Sequence, residues 1–312
     1  GEFAVRARAV INAAGPFVDG VRRLDEPDAP PMIRPSQGVH IILDQSFLPG
    51  ESAIMVPHTD DGRVLFVIPW HGRVIVGTTD TPLEEPSLEP RALPEEVDFI
   101  LRNAARYLAR DPQKSDILSV FAGQRPLVRP PCTDGPPTKK ISRNHEVLVA
   151  DSGLVTLVGG KWTTCRKMAE DTVDTVEQLG GFTENPCVTE TLHLHGWRST
   201  EADALPDHLA VYGSDAQHIE RLMADQPALA EPLHPSLPYP KAVVVWAARE
   251  EMARTVEDVL ARRTRALLLD AKAASGCAAE TASLMARELG RNEQWQCSQT
   301  EAFRQLAAGY LL

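Results

Sequence analysis

Residues 153–170 read GLVTLVGGKWTTCRKMAE. The apolar, β-branched run 154–158 predicts a strand, Gly159-Gly160 a tight turn, and 163–179 a helix stopped by Gly180-Gly181. A backbone approaches an anion or a cofactor in this way. The helix start offers free N–H groups and partial positive charge, and glycines lack the Cβ that would hold a ligand away. Lys161 adds a full charge. The phosphate-loop pattern is not met: Trp162 follows the lysine, and Val155 stands where the first glycine belongs. On these residues alone, a plain β–α turn with Thr163 as N-cap is an equal alternative.

Upstream, VLVADSGLVTLVGG reads as a hairpin turning at Asp151-Ser152-Gly153. Residues 117–130 read as a strand followed by an irregular, proline-limited segment, and a polar loop follows over 133–145. Arg125 precedes Pro126, which restricts it to extended geometry. A guanidinium so aimed can grip phosphate or carboxylate through two parallel hydrogen bonds; a surface salt bridge is the plainer alternative. Residues 30–80 suggest an antiparallel meander with turns at Asp61-Gly62 and His71-Gly72. His40, in Gln37-Gly38-Val39-His40, is expected to open one of its strands. Its imidazole can take a proton near neutral pH; the alternative is a half-buried histidine satisfied by backbone. A helix is expected over 94–110, with Val97, Ile100, Leu101, Ala104, Ala105 and Leu108 on one face.

The chain opens in a strand pattern, GEFAVRARAVINAAGP, and such a start predicts a piece of a longer polypeptide. Residues 181–240 read as a linker leading to a small helical domain. Residues 241–273 give the strongest helical signal, with Val245, Ala248, Met252, Val256, Val259 and Leu260 along one side; further helices are expected over 278–289 and 299–312. Arg262-Arg263-Thr264-Arg265 suits a helix C-terminus and salt bridges to the acidic residues before it. A net charge of −11 over 312 residues argues against nucleic acid as the main partner. Five widely spaced cysteines without a CxxC support neither a zinc ribbon nor a disulfide framework, and fit a reducing cytoplasm. His193 and His195 lack a ligand partner at metal-site spacing, so no metal is expected.

Taken in order, INAAGPFVD, IRPSQGVHII, FVIPWHGRVIVGTTDT, SVFAGQRPL, LVTLVGGKWTTCRKMAED and VVVWAAREEMARTVEDVLARRTR resemble the FAD-dependent glycerol-3-phosphate dehydrogenases, within the D-amino-acid-oxidase-like flavoproteins. The resemblance covers nearly the whole chain. It implies an α/β (α+β) FAD-dependent oxidoreductase fold, incomplete at the N-terminus, with an antiparallel substrate-binding sheet and a C-terminal all-helical domain. The implied boundaries are 1–182 for the oxidoreductase portion and 183–312 for the helical domain with its linker. Within the first, FAD-domain returns fall at about 1–30 and 121–182, and the substrate-binding sheet and helix at about 31–120.

The resemblance further implies oxidation of sn-glycerol 3-phosphate to dihydroxyacetone phosphate, with FAD as cofactor and a quinone or oxygen as electron acceptor. Gly159, Gly160, Lys161, Trp162, Thr163 and Thr164 would lie at the flavin, and Ala14 and Gly15 on its adenosine side. Arg125 and Lys161 would hold substrate, with Arg125 on the phosphate; His40 would help remove the alcohol proton as hydride leaves C2. The expected location is the cytoplasm, and the resemblance leaves room for peripheral contact with the inner face of the cell membrane and for a homodimer. The family's N-terminal GxGxxG unit, which holds the FAD pyrophosphate, is not among these residues, so the chain by itself is expected to be inactive or very weak. Two other readings stay open: a related amine or amino-acid oxidase, and a non-catalytic fragment or split subunit that needs an N-terminal half.

Overall fold

The computed structural model describes residues 3–129, 144–199 and 205–312. Cys132 and most of the polar loop expected over 133–145 lie outside them. In chain order the strands are β1 (Val10–Asn12), β2 (Ile33–Asp44), β3 (Ile54–Val56), β4 (Leu65–Trp70), β5 (Arg73–Gly77), β6 (Thr81–Pro82), β7 (Ser119–Val128), β8 (His145–Val149) and β9 (Leu154–Gly159). The α-helices are α1 (Val18–Asp25), α2 (Pro94–Ala104), α3 (Cys165–Gly180), α4 (Asp207–Ala210), α5 (Ala216–Asp225), α6 (Ala242–Arg249), α7 (Ala266–Leu269), α8 (Ala271–Leu289) and α9 (Glu293–Ala308). They gather into two compact units: residues 1–38, 80–90 and 122–193, and residues 39–79, 91–121 and 194–312.

In the first unit β9 is the middle strand of three. It runs parallel to β1, pairing Leu154 with Val10, and antiparallel to β8, pairing Val155 with Val149. The β8–β9 hairpin turns where Asp151-Ser152-Gly153 predicts, closed by the Gly153 N–H on the Ala150 carbonyl at 2.9 Å. Val18, Ile33 and Val158 form a small core with Ala14, Met32 and Val128 packed against it. The Asp19 carboxylate ties α1 to the start of β2 by accepting the Met32 and Ile33 N–H groups at 3.0 Å.

In the second unit, β3, β4, β5 and the later part of β2 form an antiparallel sheet. Strand periodicity sends Val39, Ile41, Leu43, Leu65, Val67, Val74 and Val76 to one fully buried face, and α2 packs on β4 and β5. The expected turns at Asp61-Gly62 and His71-Gly72 are present. The C-terminal helices have their own core, including Leu209, Ile219, Val243, Val256, Leu260, Leu267, Met285 and Phe303. Among the described residues no helix is long and apolar enough to cross a membrane.

Several local expectations need correction. Residues 3–9 are irregular, and the opening strand is only Val10–Asn12. His40 lies within β2, which already begins at Ile33. The 94–110 helix ends at Ala104. Pro126 does not end its strand: β7 continues to Val128, because a proline φ suits extended backbone and costs only one donor. The 241–273 segment is not one helix. It breaks after Arg249, Met252 takes a left-handed φ of 58° with its side chain exposed, residues Asp258–Arg263 form a π-helical turn, and Arg265 is left-handed again at 59°. The next helix starts at Ala271 rather than 278, and the last spans Glu293–Ala308 rather than 299–312. As expected, the arginine run makes local pairs: Arg262 with Glu257 and Asp258, Arg263 with Glu251.

Candidate functional site

The turn after β9 is built from two left-handed glycines, Gly159 at φ 73° and Gly160 at φ 79°, a conformation costly for any residue with a Cβ. Their missing side chains face the chain itself. A Cβ on Gly159 would stand 3.0 Å from Val128 Cγ2 and crowd the Asn144 carbonyl; one on Gly160 would stand 2.6 Å from Met168 Cε and 3.3 Å from His145 Cβ. The Gly160 N–H donates to the Asn144 carbonyl at 3.3 Å.

Beyond the glycines a 3-10 turn, Trp162–Thr164, leads into α3. Thr164, not Thr163, closes it: its hydroxyl accepts the Lys161 N–H at 3.2 Å and donates to the Lys161 carbonyl at 3.0 Å. The Trp162 and Thr163 N–H groups make no hydrogen bond among the described residues. Within the same set the Lys161 ammonium makes no ion pair, and the Trp162 side chain is 89% exposed. Among the described residues, the turn that opens α3 thus presents two backbone donors and one cation without a partner. At its far end Gly181, left-handed at φ 58°, caps the helix as expected.

Two side-chain pairs meet at Asp171 beside this turn: Lys167–Asp171 is a local i, i+4 pair, whereas His145–Asp171 has no local sequence signal. His145 Nε2 and Asp171 Oδ2 are 2.8 Å apart, and Lys167 Nζ reaches Asp171 Oδ1 at 2.8 Å. The Lys167 hydrogen bond, then that of His145, holds the Asp171 carboxyl below its ordinary range. A His and an Asp 26 residues apart meet only because the hairpin folds back on α3.

Ala14 and Gly15 belong to the same unit. The buried Asn12 shapes their turn: its amide donates to the Val18 carbonyl at 2.9 Å and its oxygen accepts the Ala14 N–H at 3.3 Å. Gly15 is left-handed at φ 57° and has open space where a Cβ would stand. Ala14 packs on the core that includes Val158, one residue before the glycines. Arg125, on β7, is partly buried, with Nη1 3.5 Å from Asp80 Oδ1; Asp80 also accepts the Ser36 hydroxyl.

His40 belongs to the other unit. It is half-buried on β2, stacked on Phe121 with ring centroids 5.5 Å apart. Its ring lies over Gly77, its cross-strand partner; a Cβ there would stand 2.8 Å from both Cγ and Nε2. The structure thus gathers Gly159, Gly160, Lys161, Trp162, Thr163 and Thr164 into one turn. His195, weighed for metal binding in the sequence, instead bonds the Asp215 carboxylate at 2.6 Å.

Residues 1–166 match the model of the family described as FAD dependent oxidoreductase. The chain belongs to that family. Overlapping this part of the FAD dependent oxidoreductase, residues 153–296 match a second model, the C-terminal domain of alpha-glycerophosphate oxidase. A probable mitochondrial glycerol-3-phosphate dehydrogenase of Caenorhabditis elegans is 39% identical over 326 residues, covering 97% of this chain and 45% of that protein. The mitochondrial glycerol-3-phosphate dehydrogenase of Homo sapiens is 36% identical, covering 97% and 44%. The chain spans about half the length of the curated relatives it matches. The crystal structure of the Bacillus halodurans glycerol-3-phosphate dehydrogenase complexed with FAD superposes with a TM-score of 0.81 at 29% identity, covering 98% of this chain and 63% of that one.

Proposed function

We propose that the protein containing this chain oxidises sn-glycerol 3-phosphate to dihydroxyacetone phosphate with FAD. The observation that carries this reading is the open start of α3: the Trp162 and Thr163 N–H groups and the Lys161 ammonium, which have no partner among the described residues. That donor set fits FAD, whose ring gains negative charge on reduction, because preorganised donors lower the cost of charge that develops during reaction. Bound there, FAD would supply the hydride acceptor. Gly159 and Gly160 bring the backbone close, Trp162 to Thr164 complete the turn, and Ala14 and Gly15 serve the adenosine side. Arg125 takes the substrate phosphate, and Lys161 adds charge to the same end. His40 accepts the proton of the secondary alcohol. The substrate choice is supported by relatives named glycerol-3-phosphate dehydrogenase, matched over nearly the whole of this chain.

Electrons then pass to a quinone or to oxygen, and the assembly to look for is a homodimer with peripheral membrane contact. The proposed domain division is an oxidoreductase portion over 1–182 and a helical portion over 183–312. A second reading, that these residues act only when joined to an N-terminal half, has its own support: Val10, Ile11 and Val149 are apolar strand residues, yet 57%, 44% and 44% exposed.

Visible spectroscopy tests both. The full-length protein should retain yellow flavin that bleaches on adding glycerol 3-phosphate, and the 312-residue chain alone should retain none. A full-length protein that holds flavin but reduces it only with amines or amino acids would sink the substrate assignment. Flavin bleaching by the isolated chain would sink the need for a second half.

A further inference from the structure

The ladder between β2 and β5 stops at the pair His40 and Gly77. The next N–H back along β2, that of the fully buried Val39, donates instead to the Thr79 hydroxyl at 3.0 Å. That hydroxyl donates to Glu96 Oε1 at 2.8 Å, and Glu96 Oε2 accepts the Leu93 N–H at 2.9 Å, at the first turn of α2. Thr79 is 2% exposed and Glu96 3%. A carboxyl group at that depth is costly unless its oxygens are hydrogen-bonded, and apolar residues of similar volume would join sheet to helix at least as well. What the polar chain adds is direction, because hydrogen bonds weaken steeply away from their preferred angle. It ends on the Gly38–Val39 peptide, one residue before His40, whose ring lies against Gly77 and Phe121.

We infer that Thr79 and Glu96 are positioning residues for His40, a strut that runs from the start of α2 to the Gly38–Val39 peptide, one residue before His40, and sets where the imidazole stands for proton removal. The inference rests on the proposed role of His40. Misplacement of a reacting group by about an ångström costs on the order of 100-fold in rate, so loss of the strut should appear in the reduction step and not in binding.

The test uses the full-length, FAD-loaded protein. Thr79→Val removes the hydroxyl and keeps the branched shape; Thr79→Ser keeps the hydroxyl. In Thr79→Val, flavin reduction by glycerol 3-phosphate should slow by at least about 10-fold, with flavin content and substrate Kd unchanged, and Thr79→Ser should recover most of the rate. Amide hydrogen exchange at Val39 should rise in Thr79→Val, a readout independent of turnover. The double variant His40→Ala with Thr79→Val should be no slower than His40→Ala alone, because the strut acts through His40. If Thr79→Val folds poorly, Glu96→Gln, which keeps volume and one acceptor, should show the same pattern at smaller amplitude. Full rate in both single strut variants, or additive losses in the double variant, overturns the inference. A fast His40→Ala sinks the His40 role itself; a slow His40→Ala beside a fast Thr79→Val sinks only the strut.

Discussion

His40 and Gly77 face each other across β2 and β5, and the imidazole fills the space a Gly77 side chain would need, with Cγ and Nε2 both 2.8 Å from the Cβ position. Gly77→Ala must therefore push the ring away. Stopped-flow reduction of the full-length protein by glycerol 3-phosphate should slow by at least about 10-fold in Gly77→Ala, while FAD content stays at the parental level. An unchanged reduction rate would show that the ring position against Gly77 does not matter.

Arg125 shares its guanidinium with Asp80, 3.5 Å away. A lysine keeps the charge and loses the planar fork. Losing one charge-assisted hydrogen bond costs about 1.5–3 kcal/mol, so Arg125→Lys should raise the KM for glycerol 3-phosphate roughly 10- to 100-fold. Turnover of glycerol, which carries no phosphate, should be unaffected. Equal losses on both substrates would place Arg125 away from the phosphate.

What could be read from the sequence, and what could not, follows the range of the forces involved. The Asp151-Ser152-Gly153 and His71-Gly72 turns and the Gly181 stop were legible because the deciding chemistry lies within a few residues. The break in 241–273 was not. Apolar spacing continues through it, while a left-handed residue there meets a distant part of the chain: Arg265 Nη1 lies 3.3 Å from His71 Nε2. At the candidate site, Gly159 to Thr164 stood out because glycines and a helix start are local signs. Asp80 beside Arg125, 45 residues apart, and His145 beside Asp171, 26 apart, depend on tertiary folding and leave no periodic trace.

Asp258, the first residue of the π-helical turn, reaches back to accept the Arg254 and Thr255 N–H groups at 2.9 Å, and its other oxygen meets Arg262 at 3.0 Å. Burial pushes its carboxyl up, but these donors outweigh burial and hold it below the ordinary 3.8. A depressed carboxyl contributes stability that is present above its unfolded pKa and is lost as pH falls through the folded value. Asp258→Ala should cost about 1 kcal/mol at neutral pH, the usual worth of a lost cap. In urea titrations, the gap between parent and variant should stay constant from neutrality to about pH 5 and narrow on further acidification. A gap that widens towards acid would contradict this sign.

Gly159 and Gly160 have a meaning for lineage as well as for chemistry. The volume denied to them is claimed by Asn144, Val128, Met168 and His145, so the fold demands glycine there whether or not anything is bound. A descendant that had abandoned the reaction would still be obliged to keep both. The Lys161 ammonium, which props up nothing among the described residues, would be at liberty to drift. In a survey of look-alike chains, the glycine pair therefore marks ancestry, and the lysine beside it would be the better witness to activity if it holds substrate as proposed.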